Sequence, residues 1–136
     1  MAESGLTDMV VFRENTEDLY SGIEWEPNSP GAKRIIDFIN KELGHSPFRF
    51  EDNCGIGIKP VSEEGTKRLI RMAIDYSLAH NKSSITVVHK GNIMKYTEGA
   101  FRDWAYDVVT KEYSGIIQND NTYIIDNSKF NSELVI

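Results

Sequence analysis

Residues 62–92 read SEEGTKRLIRMAIDYSLAHNKSSITVVHKGN, and this stretch decides the fold class. Ser62 is a helix cap, and Glu63 and Glu64 fall in the first turn, where the helix dipole favours carboxylates. Ile70, Ala73, Ile74, Ser77 and Leu78 then recur at helical spacing, and the pattern fades at His80-Asn81. Ile85–His89, ITVVH, is a short continuous apolar run that reads as a buried strand, and Lys90-Gly91-Asn92 follows at once. A helix feeding a buried strand is the unit of an α/β layer.

The pattern extends in both directions. Downstream, a helix is expected from Thr97 to Tyr113, with Phe101, Trp104, Ala105, Val108 and Val109 on one side and Ser114-Gly115 at its end. Tyr123–Ile125 and Leu134–Ile136, around Asp126-Asn-Ser-Lys, read as a hairpin. Upstream, Asp8–Arg13 reads as a buried strand and Tyr20–Glu26 as a short one. Pro27–Pro30 is a turn, and Ala32–Leu43 is an amphipathic helix closed by Gly44. Phe48–Phe50 and Gly55–Val61 read as extended, the alternation of Gly with Ile in GIGI suiting a strand pressed against another backbone. The expected organisation is an α/β domain from residues 1–16 and 62–136, interrupted by an α+β subdomain at 17–61.

Composition narrows the function classes. A chain of 136 residues with 40% apolar content is long enough for one modest core and too apolar for disorder. A net charge of −6 disfavours nucleic acid as a partner, since phosphate binding needs clustered cations. No run approaches the ~20 apolar residues that cross a bilayer, so no membrane association is expected. MAESGLTDMV lacks the basic and apolar regions of a secretory signal, and the lone Cys54 precludes an internal disulfide. A cytoplasmic location is the expectation. The apolar final residues, Glu133–Ile136, suggest a piece of a longer chain.

Two cations stand at expected strand ends: Arg13 after VVF, and Lys90, with Asn92, after ITVVH. Ligands of open α/β sheets gather beyond the carboxyl ends of strands. Arg13 offers a planar fork for a carboxylate; its plainer alternative is a surface pair with Glu14, Glu17 or Asp18. Tyr20 is either a hydrogen-bonded core phenol or a functional group folded back toward Arg13 by the turn-forming Asn15, Thr16 and Asp18. Gly55-Ile-Gly57 is only a fragment of a dinucleotide fingerprint. His45, His80 and His89 have no metal spacing, and the acidic pairs Glu17-Asp18 and Glu63-Glu64 read as loop and cap charges.

Three blocks carry a resemblance: FRENTEDLYSGIEW from Phe12, GIGIKPVSEEGTKRLIR from Gly55 and VVHKGNIMKYTEGAFRDW from Val87. Together they resemble the prokaryotic NADP-dependent isocitrate dehydrogenases of the isocitrate/isopropylmalate dehydrogenase family, across Leu6–Tyr113; Ser114–Ser132 does not match clearly. The resemblance implies the family's small domain, with residues 17–61 as the clasp through which two subunits form a homodimer. It implies that Arg13 binds a carboxylate of isocitrate and that Tyr20 is the acid protonating the enol(ate) left when carbon dioxide departs. Lys90 would assist proton transfer in the partner subunit's site, and Asn92 would lie there near the nicotinamide of NADP. The family also uses Mg2+ or Mn2+; no residue of this segment matches the metal ligands, which are expected outside it, so the isolated chain is expected to be inactive. The competing readings are a non-catalytic dimerisation module and a related homoisocitrate or isopropylmalate dehydrogenase.

Overall fold

A computed structural model describes residues 8–44 and 47–136. His45 and the start of the resemblance at Leu6 lie outside the described residues. The chain divides into two compact units, one of Met1–Glu14 with Val61–Ile136 and the other of Asn15–Pro60. Helices and antiparallel strands are mixed in both.

The larger unit is built on two helices. Ser62 begins α2 (Glu63–Ala79), its hydroxyl accepting the Gly65 N–H at 3.0 Å. Ile70, Ala73, Ile74 and Ser77 are buried along it, so the expected stripe is the packed face. From α3 (Glu98–Glu112), Ala105, Val108 and Val109 meet that stripe and are wholly buried. Arg71 clamps the two helices with a two-pronged bond to Glu112, at 2.6 and 2.7 Å. The third layer is an antiparallel meander: β3 (Ile116–Asn119), β4 (Thr122–Asn127) and β5 (Ser132–Val135). Ile125 pairs with Leu134, and both turn inward to close the core with Ile136. Asn127, also buried, donates to the Leu78 carbonyl at 3.1 Å and ties β4 to the end of α2.

Two strand expectations need correction here, and the tail is extended. The expected hairpin forms between β4 and β5, and β3 widens it to a three-stranded meander. Its first strand escapes notice because Ile116 and Ile117 are 73% and 61% exposed, an apolar pair that does not mark a core. Asp8–Arg13 forms no strand: Met9, Val10 and Val11 are exposed, and the run has no ladder partner among the described residues. Ile85–His89 is extended but enters the sheet only at its start, where Ser84 bridges Val135 in parallel and the Ile85 N–H reaches Val135 O at 2.8 Å.

Tyr113, just past α3, donates its hydroxyl to Asp75 of α2 at 2.6 Å. Partial burial and then the Asp75 carboxylate push this phenol well above the ordinary tyrosine value of 10.0. The folded state therefore holds the proton more tightly than the unfolded chain. Stability from this bond is complete below the unfolded value and is lost as pH climbs toward the raised folded one. An ultraviolet titration of the six tyrosines should show one phenol that resists ionisation past the others, absent in Tyr113→Phe.

The smaller unit pairs β1 (Glu24–Trp25) with β2 (Ile56–Gly57) antiparallel, Trp25 opposite Ile56. Its helix, α1 (Pro30–Lys41), starts with Ser29 accepting the Ala32 N–H at 3.2 Å and with proline in the first turn. Ala32 and Ile36 are its buried residues. A Cβ on Gly31 would lie 2.3 Å from the Trp25 ring, so this helix approaches the indole as only glycine permits. Tyr20–Glu26 is not one strand: its first residues belong to a 3-10 turn, Asp18–Ser21, and only Glu24–Trp25 pair. Phe48–Phe50 forms no strand either.

Candidate functional site

Arg13 lies on the extended segment of the larger unit that precedes the smaller one, and its side chain is exposed. Of the acids nearby in sequence, Glu14 meets Arg68 of α2 at 3.4 Å, and Asp18 is paired with Lys59.

Lys90 and Asn92 share one turn at the end of the ITVVH run, and both are exposed. The Lys90 carbonyl accepts the N–H groups of Ile93 and Met94 at 3.1 and 3.0 Å. Two further bonds fix its backbone: the Lys90 N–H reaches Glu98 Oε2 at 3.2 Å, and the Gly91 N–H reaches His89 Nδ1 at 3.0 Å. Glu98 is the first residue of α3, so the helix start and the turn are braced together. Gly91 is buried in that brace. An added Cβ would sit 2.9 Å from the His89 ring and 3.1 Å from Gly99 Cα, which explains a glycine here without invoking a ligand.

Tyr20 stands on the 3-10 turn of the smaller unit with its side chain 46% exposed. It is therefore not a buried core phenol. The turn carries a left-handed residue at each end, Asp18 with φ 60° and Gly22 with φ 64°. The structure thus brings Lys90 and Asn92 together and puts Arg13 on the same unit, with Tyr20 on the other. All four side chains are exposed.

The described residues offer little for the remaining parts of the expected chemistry. Among them, no three His, Cys, Asp or Glu side chains converge to hold a metal ion. An open cleft in the smaller unit is lined by Glu24, Trp25, Glu26, Ser29 and Gly55–Gly57. Its two carboxylates suit neither an anionic acid nor a nucleotide phosphate. Among the described residues no helix is long and apolar enough to cross a membrane.

The sequence profile of the isocitrate/isopropylmalate dehydrogenases matches residues 1–132, and the chain belongs to that family. Its relatives include the NADP isocitrate dehydrogenase of Pseudomonas aeruginosa, 58% identical over 109 residues, which is 80% of this chain and 26% of that protein. Isocitrate dehydrogenase [NADP] 1 of Colwellia maris is 51% identical over 130 residues, 95% of this chain and 31% of that one. The crystal structure of isocitrate dehydrogenase from Methylococcus capsulatus shares the fold with a TM-score of 0.51 at 31% identity, over 74% of this chain and 24% of that chain. The chain thus spans about a quarter to a third of the length of the curated relatives it matches.

Proposed function

We propose that this chain supplies substrate-binding and proton-transfer residues to an NADP-dependent isocitrate dehydrogenase, which converts isocitrate to 2-oxoglutarate and carbon dioxide. The observation that carries the reading is the match to the Colwellia maris enzyme. At 130 of 136 residues it necessarily spans Arg13 through Asn92.

In this reading Arg13 holds a substrate carboxylate through its two-pronged guanidinium. Tyr20 delivers a proton to the carbon from which carbon dioxide has left, as an exposed phenol near bound substrate is able to do. Lys90 assists that transfer, and Asn92 orients the nicotinamide side of the site, both acting in the partner subunit. The residues 17–61 form the clasp of a homodimer, within a small domain made of 1–16 and 62–136, and the enzyme works in the cytoplasm. NADP supplies the hydride acceptor. The ligands for its adenosine phosphate and for the divalent cation are assigned to residues other than those described.

A segment exchange tests the reading. The matched 130-residue stretch of the Colwellia maris enzyme is replaced by this chain, and NADPH formation from isocitrate is followed. Sustained isocitrate-dependent turnover by the chimera is expected, with none from the 136-residue chain assayed alone with isocitrate, NADP and magnesium. A soluble, folded chimera that binds isocitrate without turnover would favour the non-catalytic dimerisation reading. Turnover of isopropylmalate or homoisocitrate in preference would move the assignment within the family. Sedimentation checks the clasp: a stable monomer at micromolar concentration counts against it.

A further inference from the structure

The turn that carries Tyr20 is held by groups far from it in sequence. Asp18 occupies the left-handed region at φ 60°, a conformation that L side chains rarely adopt without compensation. Four bonds converge on this one residue. Its N–H donates to the Pro60 carbonyl at 2.9 Å, and its carbonyl accepts the Ser21 hydroxyl at 2.8 Å. Its carboxylate accepts the Leu19 N–H at 2.6 Å through Oδ1 and pairs with Lys59 Nζ through Oδ2. The pair is largely shielded, the side chains of Lys59 and Asp18 being 16% and 31% exposed. Lys59 and Pro60 are brought there because the chain runs on from β2, the Ile58 N–H bonding Ile23 O at 2.9 Å. The turn itself closes when the Tyr20 N–H reaches Glu17 O at 3.2 Å.

We propose that Lys59 is a positioning residue for Tyr20: acting through the Asp18 carboxylate, it fixes the 3-10 turn from which the phenol is presented. The inference rests on the reading of Tyr20 as the proton donor. Lys59 neutralises a shielded carboxylate that would otherwise seek water. With that charge gone, Asp18 has less to hold it in a left-handed conformation, and the turn frays toward backbone states that swing Tyr20 away. Proton transfer depends steeply on placement, a displacement of about 1 Å costing up to ~10²-fold in rate.

The test has two arms. In the 136-residue chain, amide exchange at Asp18, Leu19 and Tyr20 is compared across Lys59→Met, which keeps the length and removes the charge, and Lys59→Arg, which keeps the charge. K59M should speed exchange at these three amides by about tenfold or more, and K59R by less than about twofold. In the chimera, K59M should lower kcat by about tenfold or more with KM for isocitrate nearly unchanged, and K59R should restore it. K59M should add nothing once Tyr20→Phe is present, since a residue acting only through the phenol has no further effect without it. Unaltered exchange at Asp18–Tyr20 in K59M overturns the proposal, as does an equal loss of kcat in the wild-type and Y20F backgrounds. If Y20F itself leaves kcat intact, the reading of Tyr20 as the acid falls, and the exchange arm still decides whether Lys59 fixes the turn.

Discussion

Tyr20→Phe in the chimera is expected to reduce kcat for NADPH formation by about a hundredfold or more, within the ~10²–10⁴ attributable to a positioned general acid. KM for isocitrate should change little. The substitution keeps the ring, which stands exposed on its turn, and in the proposed reading it leaves Arg13 in place for the carboxylate. It takes away the phenolic proton that this reading assigns to the carbon vacated by carbon dioxide. A second measurement separates this from a general loss of fit. In deuterated water, residual turnover by Y20F should place deuterium on that carbon with reduced stereochemical purity, because solvent would replace a donor fixed on one face. Unchanged kcat with full stereospecificity would remove Tyr20 from the chemistry.

The second large effect concerns the core of the larger unit. Ile74 is fully buried between α2 and α3, within the cluster that includes Val108, Val109 and Leu134. Ile74→Ala removes three carbons and leaves a void that close-packed neighbours fill only in part. A loss of about 3 kcal/mol is expected, within the ~2–5 kcal/mol seen for such truncations. Met72, two residues earlier on the same helix, is 57% exposed and provides the control. Met72→Ala should stay within about 0.5 kcal/mol of the parent. Urea unfolding of the two variants, followed by circular dichroism, measures both. Equal losses at the two positions would mean that α2 does not pack on the face described here.

How much of this was legible in the sequence follows from the range of the interactions. The three helices could be read because their signals are local: Ser62 as a cap, Gly44 and Ser114-Gly115 as stops, and apolar residues every three or four positions, which the structure buries at Ile70, Ala73 and Ile74 of α2 and at Ala105, Val108 and Val109 of α3. Strands depend on partners elsewhere. Ile85–His89 has the composition of a central strand, yet only its first residues find a neighbour in β5. Asp8–Arg13 finds none among the described residues. β3 carries exposed isoleucines, so a reading that equates apolar with buried passes over it.

The candidate site divides along the same line. Arg13, Tyr20, Lys90 and Asn92 came from position and from resemblance, and all four are exposed. The groups that hold the two turns did not show themselves. Asp18 looked like an ordinary loop acid, and its partner Lys59 lies 41 positions away with no periodic trace linking them. Glu98 lay unremarked in the helix expected from Thr97, and only the fold reveals that it anchors the Lys90 backbone.

The close seat of Trp25 on Gly31 has a practical consequence. The chain has two tryptophans, and they fall one to a unit: Trp25 in Asn15–Pro60, and Trp104 on α3 of the other. Each indole is thus a private fluorescent reporter of its own unit. Emission spectra of W25F and W104F, recorded along a denaturant series, assign a separate melting midpoint to each unit.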